Sequence, residues 1–232
     1  MAVSVVMAVY NGEKYLKEQL DSIVCQLSFE DELIVSLDPS NDHSKEIIEQ
    51  YTNIKLVNGP GKGVIKNFEN GLKYVKNEYV FLTDQDDVWM KDKVSKVLSQ
   101  FDENTMIVMH DAIIVDENKK EISPSYFDMR NVRLGIKENL LKNSYIGCCM
   151  CVRKEVVDKA LPFPEPLPMH DQYLGLTGEL MGQNKLFKEP LIMYRRHGEN
   201  VSSQSHASFK QMFKWRMEIL KAFKMVKLRI QK

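Results

Sequence analysis

The order of apolar runs in the first half of the chain leaves few folds open. Val3 to Val9 is almost continuously apolar, as a parallel strand covered on both faces must be. Leu16, Leu20, Ile23 and Leu27 then return at helical spacing. The pattern repeats with Leu33 to Leu37 before Ile47, Ile48 and Tyr51, and again with Ile54 to Val57 before Val64, Phe68, Leu72 and Val75. Tyr79 to Leu82 follows, then Val94, Val97, Leu98 and Phe101 at helical spacing, then Met106 to Met109. Strands alternating with helices predict an α/β fold with a doubly wound, mainly parallel sheet, whose ligands enter the crevice at the strands' carboxyl ends. Chemistry is therefore expected just after each strand.

Beyond residue 112 the alternation weakens, with a polar turn at Glu117-Asn118-Lys119-Lys120 and prolines at 162, 164, 166 and 168. No flexible linker or repeat separates the halves, so one domain is expected over residues 1–205, divided functionally into 1–112 and 113–205, with a distinct tail over 206–232. A chain of 232 residues can bury such a core without disulfide staples. Three of its four cysteines, Cys148, Cys149 and Cys151, crowd one apolar segment and only Cys25 lies elsewhere, which is not a disulfide framework and points to a reducing, cytoplasmic setting. The 32 basic and 32 acidic residues cancel, which removes any overall attraction to nucleic acid. Val3 to Val9 lacks a basic region before it and is too short to span a bilayer, so neither signal peptide nor membrane helix is expected there.

The strongest chemical signal is Thr83-Asp84-Gln85-Asp86-Asp87-Val88-Trp89, directly after the run Tyr79 to Leu82. Three carboxylates in four residues repel one another unless something positive is bound, and hard oxygen ligands suit Mg²⁺ or Mn²⁺ arriving with phosphate oxygens. The plainer alternative is a solvated acidic turn that caps the next helix. An EF-hand loop is excluded, because Val88 occupies the next ligand position and no glycine follows. The first apolar run ends Ala8-Val9-Tyr10-Asn11-Gly12-Glu13, where Asn11 is a natural helix cap, and the second ends in the polar stretch Asp38-Pro39-Ser40-Asn41-Asp42. Three strand ends thus bring polar groups to one crevice. Gly59-Pro60-Gly61-Lys62-Gly63 lacks the Gly-Lys-Ser/Thr ending of a phosphate loop.

Taken together these segments resemble the family 2 glycosyltransferases of the GT-A fold, whose first strand ends in Tyr-Asn, whose second ends in an Asp-x-Ser-x-x-(Ser/Thr)-like turn, and whose fourth precedes Asp-x-Asp. Asp-Gln-Asp-Asp-Val-Trp is similar to the bacterial rhamnosyltransferase branch. The resemblance implies that residues 1–112 bind a nucleotide-sugar donor and 113–205 an acceptor. It makes Ala8, Tyr10 and Glu13 the lining of the nucleoside pocket, Asp38 the reader of a pyrimidine base and Asp84 a contact near the ribose. Gln85, Gly63, Asn67 and Arg196 join the donor set, while Asp86 and His197 are the expected ligands of Mg²⁺ or Mn²⁺. Leu37 departs from the second Asp that many relatives carry. In Met169-His170-Asp171-Gln172-Tyr173 a His-Asp pair by itself reads more readily as a helix cap; the resemblance makes Asp171 the general base. Tyr194-Arg195-Arg196-His197 is similar to the family's closing motif, where basic groups offset leaving-group charge. The cysteines suggest a soft-metal site only superficially, and small residues near Gly147 are expected to floor the sugar pocket.

The implied reaction is an inverting transfer from a dTDP- or UDP-sugar, with dTDP-rhamnose foremost, to a glycan or lipid-linked hydroxyl in bacterial surface polysaccharide synthesis. A sugar nucleotidyltransferase would open on a glycine-rich loop absent here; a silent nucleotide-sugar-binding subunit would not need Asp38, Asp84, Asp86, Asp171 and His197 together. The tail carries eight basic residues against Glu218, and Phe209, Met212, Phe213, Ile219, Leu220, Phe223, Val226 and Ile230 are expected near one helical face. That reads either as a helix on an anionic membrane surface, placing the enzyme at the inner face of the cytoplasmic membrane, or as a terminal helix packed on the domain.

Overall fold

The computed structural model describes residues 1–198 and 208–231, so the boundary expected at 205 lies outside the described residues. The first half follows the alternation: β1 (Val3–Val9), α1 (Glu13–Val24), β2 (Glu32–Leu37), α2 (Ser44–Ile48), β3 (Ile54–Asn58), α3 (Val64–Leu72) and β4 (Tyr79–Thr83). Then come β5 (Val88–Trp89), α4 (Lys93–Leu98), β6 (Thr105–Asp116), β7 (Glu121–Ser123), α5 (Tyr126–Arg130) and α6 (Ile136–Leu141). A single 3₁₀ turn, Gly147–Cys149, leads into β8 (Met150–Arg153), α7 (Lys154–Ala160), α8 (His170–Met181), β9 (Gln183–Arg196) and α9 (Phe209–Ile230).

One mixed sheet runs β3-β2-β1-β4-β8-β6-β9-β5, with β7 paired to β6. Strands β3, β2, β1 and β4 are parallel, and β6 and β9 are parallel to each other. Strand β8 runs antiparallel to both β4 and β6, joining the two parallel blocks. Every residue of β1 except Ala8 is buried, and β4 is buried throughout, which accounts for runs that are apolar but for Ser4 and Thr83. Each such Val, Leu or Phe withdrawn from water contributes about 1.5–3 kcal/mol before entropy is counted. Helix α3 lies close on β1: a Cβ at Gly71 would fall 2.7 Å from Val6 Cγ1. Chain order reverses at β1, so the crevice opens between the loops after β1 and β4.

Three local expectations differ from what forms. Helix α2 is only Ser44–Ile48, and Tyr51 instead reaches back to give its hydroxyl proton to Asp21 Oδ1 at 2.6 Å. Strand β9 is far longer than Leu191 to Met193, because its pairing with β6 shifts register at His110/Asp111 and Asp111/Ile113, which breaks the two-residue period a sequence would show. Asn11 does not cap α1; Gly12 holds the cap position, and Asn11, at φ 47°, accepts from Asn41 N–H. The tail forms α9, which lies against α8, α6 and α7 and buries Ile219, Ala222 and Val226. Arg216 and Arg229 fasten it by donating to the carbonyls of Leu141 and Ala160, both at 2.7 Å.

Candidate active site

The loops after β1 and β2 are laced together by the N–H groups that a helix start leaves unpaired. Asn11 N–H donates to Ser40 Oγ, Gly12 N–H to Ser44 Oγ and Glu13 N–H to Asp42 Oδ2. Glu13 replies by accepting from His43 N–H at 2.9 Å, so one of its carboxylate oxygens is engaged in joining the loops. Tyr10 projects from the same loop with more than half its surface exposed, and Ala8 stands two residues before it, in register with Ser36 of β2.

Asp38 is 4% exposed at the end of β2, its N–H on Val9 O and its Oδ1 accepting from Gly61 N–H at 2.8 Å. Asn67, on α3, donates to the same Val9 carbonyl at 3.1 Å, and its buried Oδ1 has no partner. Gly59 permits the approach: a Cβ there would come within 2.6 Å of Asn67 Oδ1 and closer still to Asp38. Gly63 opens α3 at φ +83° with open space where a Cβ would stand. The result is a floor of Asp38 and Asn67 beneath a glycine loop that a flat ring and a backbone can approach closely.

The acid loop after β4 is fixed from several sides. Gln19 donates to Thr83 Oγ1 and to Asp84 O, and Trp89 Nε1–H donates to Thr83 Oγ1. Gln85, expected among the donor contacts, accepts from Tyr10 N–H at 2.8 Å and donates to Tyr10 O at 3.0 Å, so its amide splices the loops after β1 and β4. Asp86 Oδ2 lies 2.8 Å from His197 Nε2, and His197 packs on the Tyr15 ring with centroids 4.9 Å apart. Asp84, Asp87 and the Cys148 thiol form a second group whose ligand atoms all fall within 4.8 Å of one another. Burial, then the charges of Asp86 and Asp171, push Asp84 up to about 7; burial and the same crowding raise Asp87 well above the carboxylate range. Asp87 Oδ2 is buried with no hydrogen-bond partner. Beneath them Lys93 is fully buried, donating to Cys148 O at 3.1 Å and standing 4.0 Å over the Trp89 ring, its pKa pulled down to about 8 by burial.

The closing motif divides by strand parity. Arg195 turns inward and is 2% exposed; it donates to Asp86 O, Glu117 O and Glu18 Oε2 and lies over Tyr15, while its N–H binds Asp87 Oδ1. Arg196 faces the other way, 6.0 Å from the Tyr194 ring centre. Arg195→Met is expected to lower unfolding stability by on the order of 3 kcal/mol, since it leaves two carbonyls and a carboxylate short of a donor. Denaturant titration checks this; a loss below about 0.5 kcal/mol would show that these bonds hold nothing.

Asp171 sits in the first turn of α8, where the helix dipole favours a carboxylate. Its Oδ1 accepts from Gln172 N–H at 2.6 Å, with Gly147 N–H and the Asn143 side chain also against it. Burial outweighs these donors and raises it to about 6. A Cβ at Gly147 would stand 3.7 Å from Asp171 Cβ and 4.0 Å from Leu82 Cδ1, so the small 3₁₀ turn lets the start of α8 close up against the end of β4. His170 is stacked on Phe68 with centroids 4.4 Å apart, and burial depresses it to about 4, leaving it neutral at pH 7.

Sequence reasoning missed Asp87, Cys148 and Lys93 as one cluster and Arg195 as a strut. Lys93 in the helical register after Trp89 was the one available signal; nothing local connects Cys148 to an acid loop some sixty residues earlier.

An α/β sheet with acidic and polar groups at three adjacent strand ends, facing a carboxylate at a helix start, defines a nucleotide-binding transferase class of site. The family model described as glycosyl transferase family 2 matches residues 4–161, and the chain belongs to that family. A dTDP-rhamnosyl transferase of Shigella flexneri is 26% identical over 90% of this chain and 77% of its own length. An uncharacterized glycosyltransferase of Nostoc is 26% identical over 86% of this chain, which spans 66% of that relative. Among solved structures, Staphylococcus aureus TarS in complex with UDP-GlcNAc superimposes with a TM-score of 0.71 at 23% identity, over 96% of this chain and 67% of that one. The fold is GT-A.

Proposed function

We propose that this chain transfers a sugar from a nucleoside diphosphate donor to an acceptor hydroxyl in bacterial surface polysaccharide synthesis, with inversion at the anomeric carbon. The observation that carries the reading is Asp171, held by three donors at the start of α8, close enough to the β4 loop for its charge to act on Asp84. A carboxylate there takes the proton from the acceptor hydroxyl as that oxygen attacks, and a single displacement inverts configuration without a covalent enzyme intermediate. Asp38 offers its carboxylate to the ring N–H of a pyrimidine, Asp84 meets the ribose, and Tyr10, Ala8, Glu13, Gly63 and Asn67 frame the nucleoside, with Gln85 positioning the loops and Arg196 near the diphosphate.

The residues fit a divalent cation: Asp86 and His197 present an oxygen and a nitrogen side by side, and one buried oxygen of the adjacent Asp87 has no hydrogen-bond partner. Asp86 and His197 would hold Mg²⁺ or Mn²⁺, which supplies charge neutralisation to the departing diphosphate. Mannosyltransferase PcManGT of Pyrobaculum calidifontis, in complex with GDP-Man and Mn2+, shares the fold with a TM-score of 0.60 at 15% identity.

For the donor, dTDP-rhamnose is favoured by the Asp-Gln-Asp-Asp-Val-Trp segment and by the Shigella relative; a UDP-sugar is the second reading, favoured by an Escherichia coli UDP-Glc glucosyltransferase 26% identical over 75% of this chain. Both share the pyrimidine that Asp38 would read. The acceptor would be a glycan or lipid-linked sugar at the inner face of the cytoplasmic membrane. Calorimetry and nucleotide-release assays with dTDP-rhamnose, UDP-glucose, UDP-galactose and UDP-GlcNAc, with Mn²⁺ present, test this. Tightest binding and fastest release are expected for dTDP-rhamnose. A UDP-sugar winning both assays would replace the donor, and no binding by any of the four would overturn the transferase reading.

A further inference from the structure

We propose that the outward face of α9 docks the protein on an anionic bilayer, so that the acceptor half faces a lipid-linked substrate; the substrate clause rests on the transfer reading above. Helix α9 has two unlike faces. Ile219, Ala222 and Val226 are buried against the domain, and Arg216 and Arg229 are spent on carbonyls beneath the helix. On the other side Phe209 is 89% exposed, Phe213 66% and Leu228 62%, with Met217 also open. Phe209, Phe213 and Met217 stand about one turn apart, and Leu228 returns to the same side about three turns on.

Lysines share that face. Lys210, Lys221, Lys224 and Lys227 are all exposed there, with Lys214 at its margin. The helix's one acid, Glu218, is turned inward at 12% side-chain exposure and lies 3.9 Å from Lys214. The outward face is therefore apolar and purely cationic. Such a surface matches the headgroup boundary of an anionic membrane, where phenyl rings enter the acyl region and lysine stems lie flat with their ammonium groups among phosphates. A second copy presents the same lysines and repels the first across any two-fold pairing. No helix among the described residues is long and apolar enough to cross a membrane, so attachment by α9 is peripheral. Because α9 packs along α8, whose first turn carries Asp171, docking brings the acceptor half toward the lipid surface.

The packed face makes deletion of α9 a poor test, since removing it uncovers core. Instead the full chain is sedimented with phosphatidylcholine vesicles, with and without phosphatidylglycerol, at low and high salt. Binding is expected only with phosphatidylglycerol and is weakened by salt. Phe213→Ser with Leu228→Ser, and separately Lys221→Glu with Lys224→Glu, should each lower the vesicle partition constant by at least about tenfold, several basic or apolar contacts acting together. Thermal unfolding and nucleotide release to a soluble acceptor should stay unchanged, and release measured on the same samples judges the transfer reading separately. Failure to bind under all four conditions, equal partition of the variants, or a dimer in sedimentation equilibrium that the Phe213→Ser, Leu228→Ser variant dissolves would overturn the proposal.

Discussion

Asp171→Asn is expected to bind donor as the parent does and to transfer sugar at least about a hundredfold more slowly, the usual worth of a positioned general base. Asparagine keeps the size and can still accept from Gln172 N–H, so the loss isolates proton transfer from packing. The pH dependence carries the same signature. With Asp171 raised to about 6, the base is half protonated near that pH, and kcat/KM should rise through pH 6 to a plateau above it. Stability moves the opposite way. A carboxyl held above its unfolded value binds its proton more tightly in the native state, so its contribution is fully present below the unfolded pKa and lost as pH climbs through 6. The Asn variant does not suffer that loss, and at pH 7 it should be the more stable protein by on the order of 1 kcal/mol, after allowing for solvent at the cleft. Steady-state rates across pH with parallel denaturation curves check both halves; turnover within threefold of the parent would remove Asp171 from the role.

The second large effect falls on metal-linked donor binding. Asp86→Ala should weaken nucleoside diphosphate binding in Mn²⁺ by well over about tenfold, the scale on which even an outer partner of a metal ligand acts. In chelator the parent should lose its advantage and bind no more tightly than the variant, because a carboxylate facing a diphosphate with no cation between them is repulsive. His197→Ala should follow in the same direction. Unchanged affinity in Asp86→Ala would mean that the diphosphate is held by other groups.

How far the sequence could be read depended on the range of the interaction. Buried parallel strands such as β1 and β4 announce themselves because both faces need apolar side chains, and turns after them collect caps and acids within a few residues. Asp171 was legible only through family resemblance, since a His-Asp pair opening a helix is chemically a cap as well. Gln85 illustrates the limit: its residue type suits ligand contact, yet it completes two bonds to the Tyr10 backbone, a partner 75 positions away. Arg195 and Arg196 are indistinguishable on paper until strand parity sends one inward. The tail's apolar residues do not share one face as the sequence suggested: Ile219 and Val226 are buried on the domain while Phe209 and Phe213 lie exposed, because a 22-residue helix has room for two stripes.

Strand β8 has a mechanical consequence. Its ladder to β4, through Tyr79 and Arg153, Val80 and Val152, and Phe81 and Cys151, and its ladder to β6 weld the two parallel blocks into one sheet. A clamshell movement of one block against the other would have to break a central, fully covered ladder and open the core on both sides of it. Cleft closure must therefore be the work of loops at the strand ends, with the two blocks behaving as one rigid plate. For the same reason a fragment ending at residue 112 would leave β4 as a bare apolar edge and should aggregate, so neither half is expected to survive as an independent binding module.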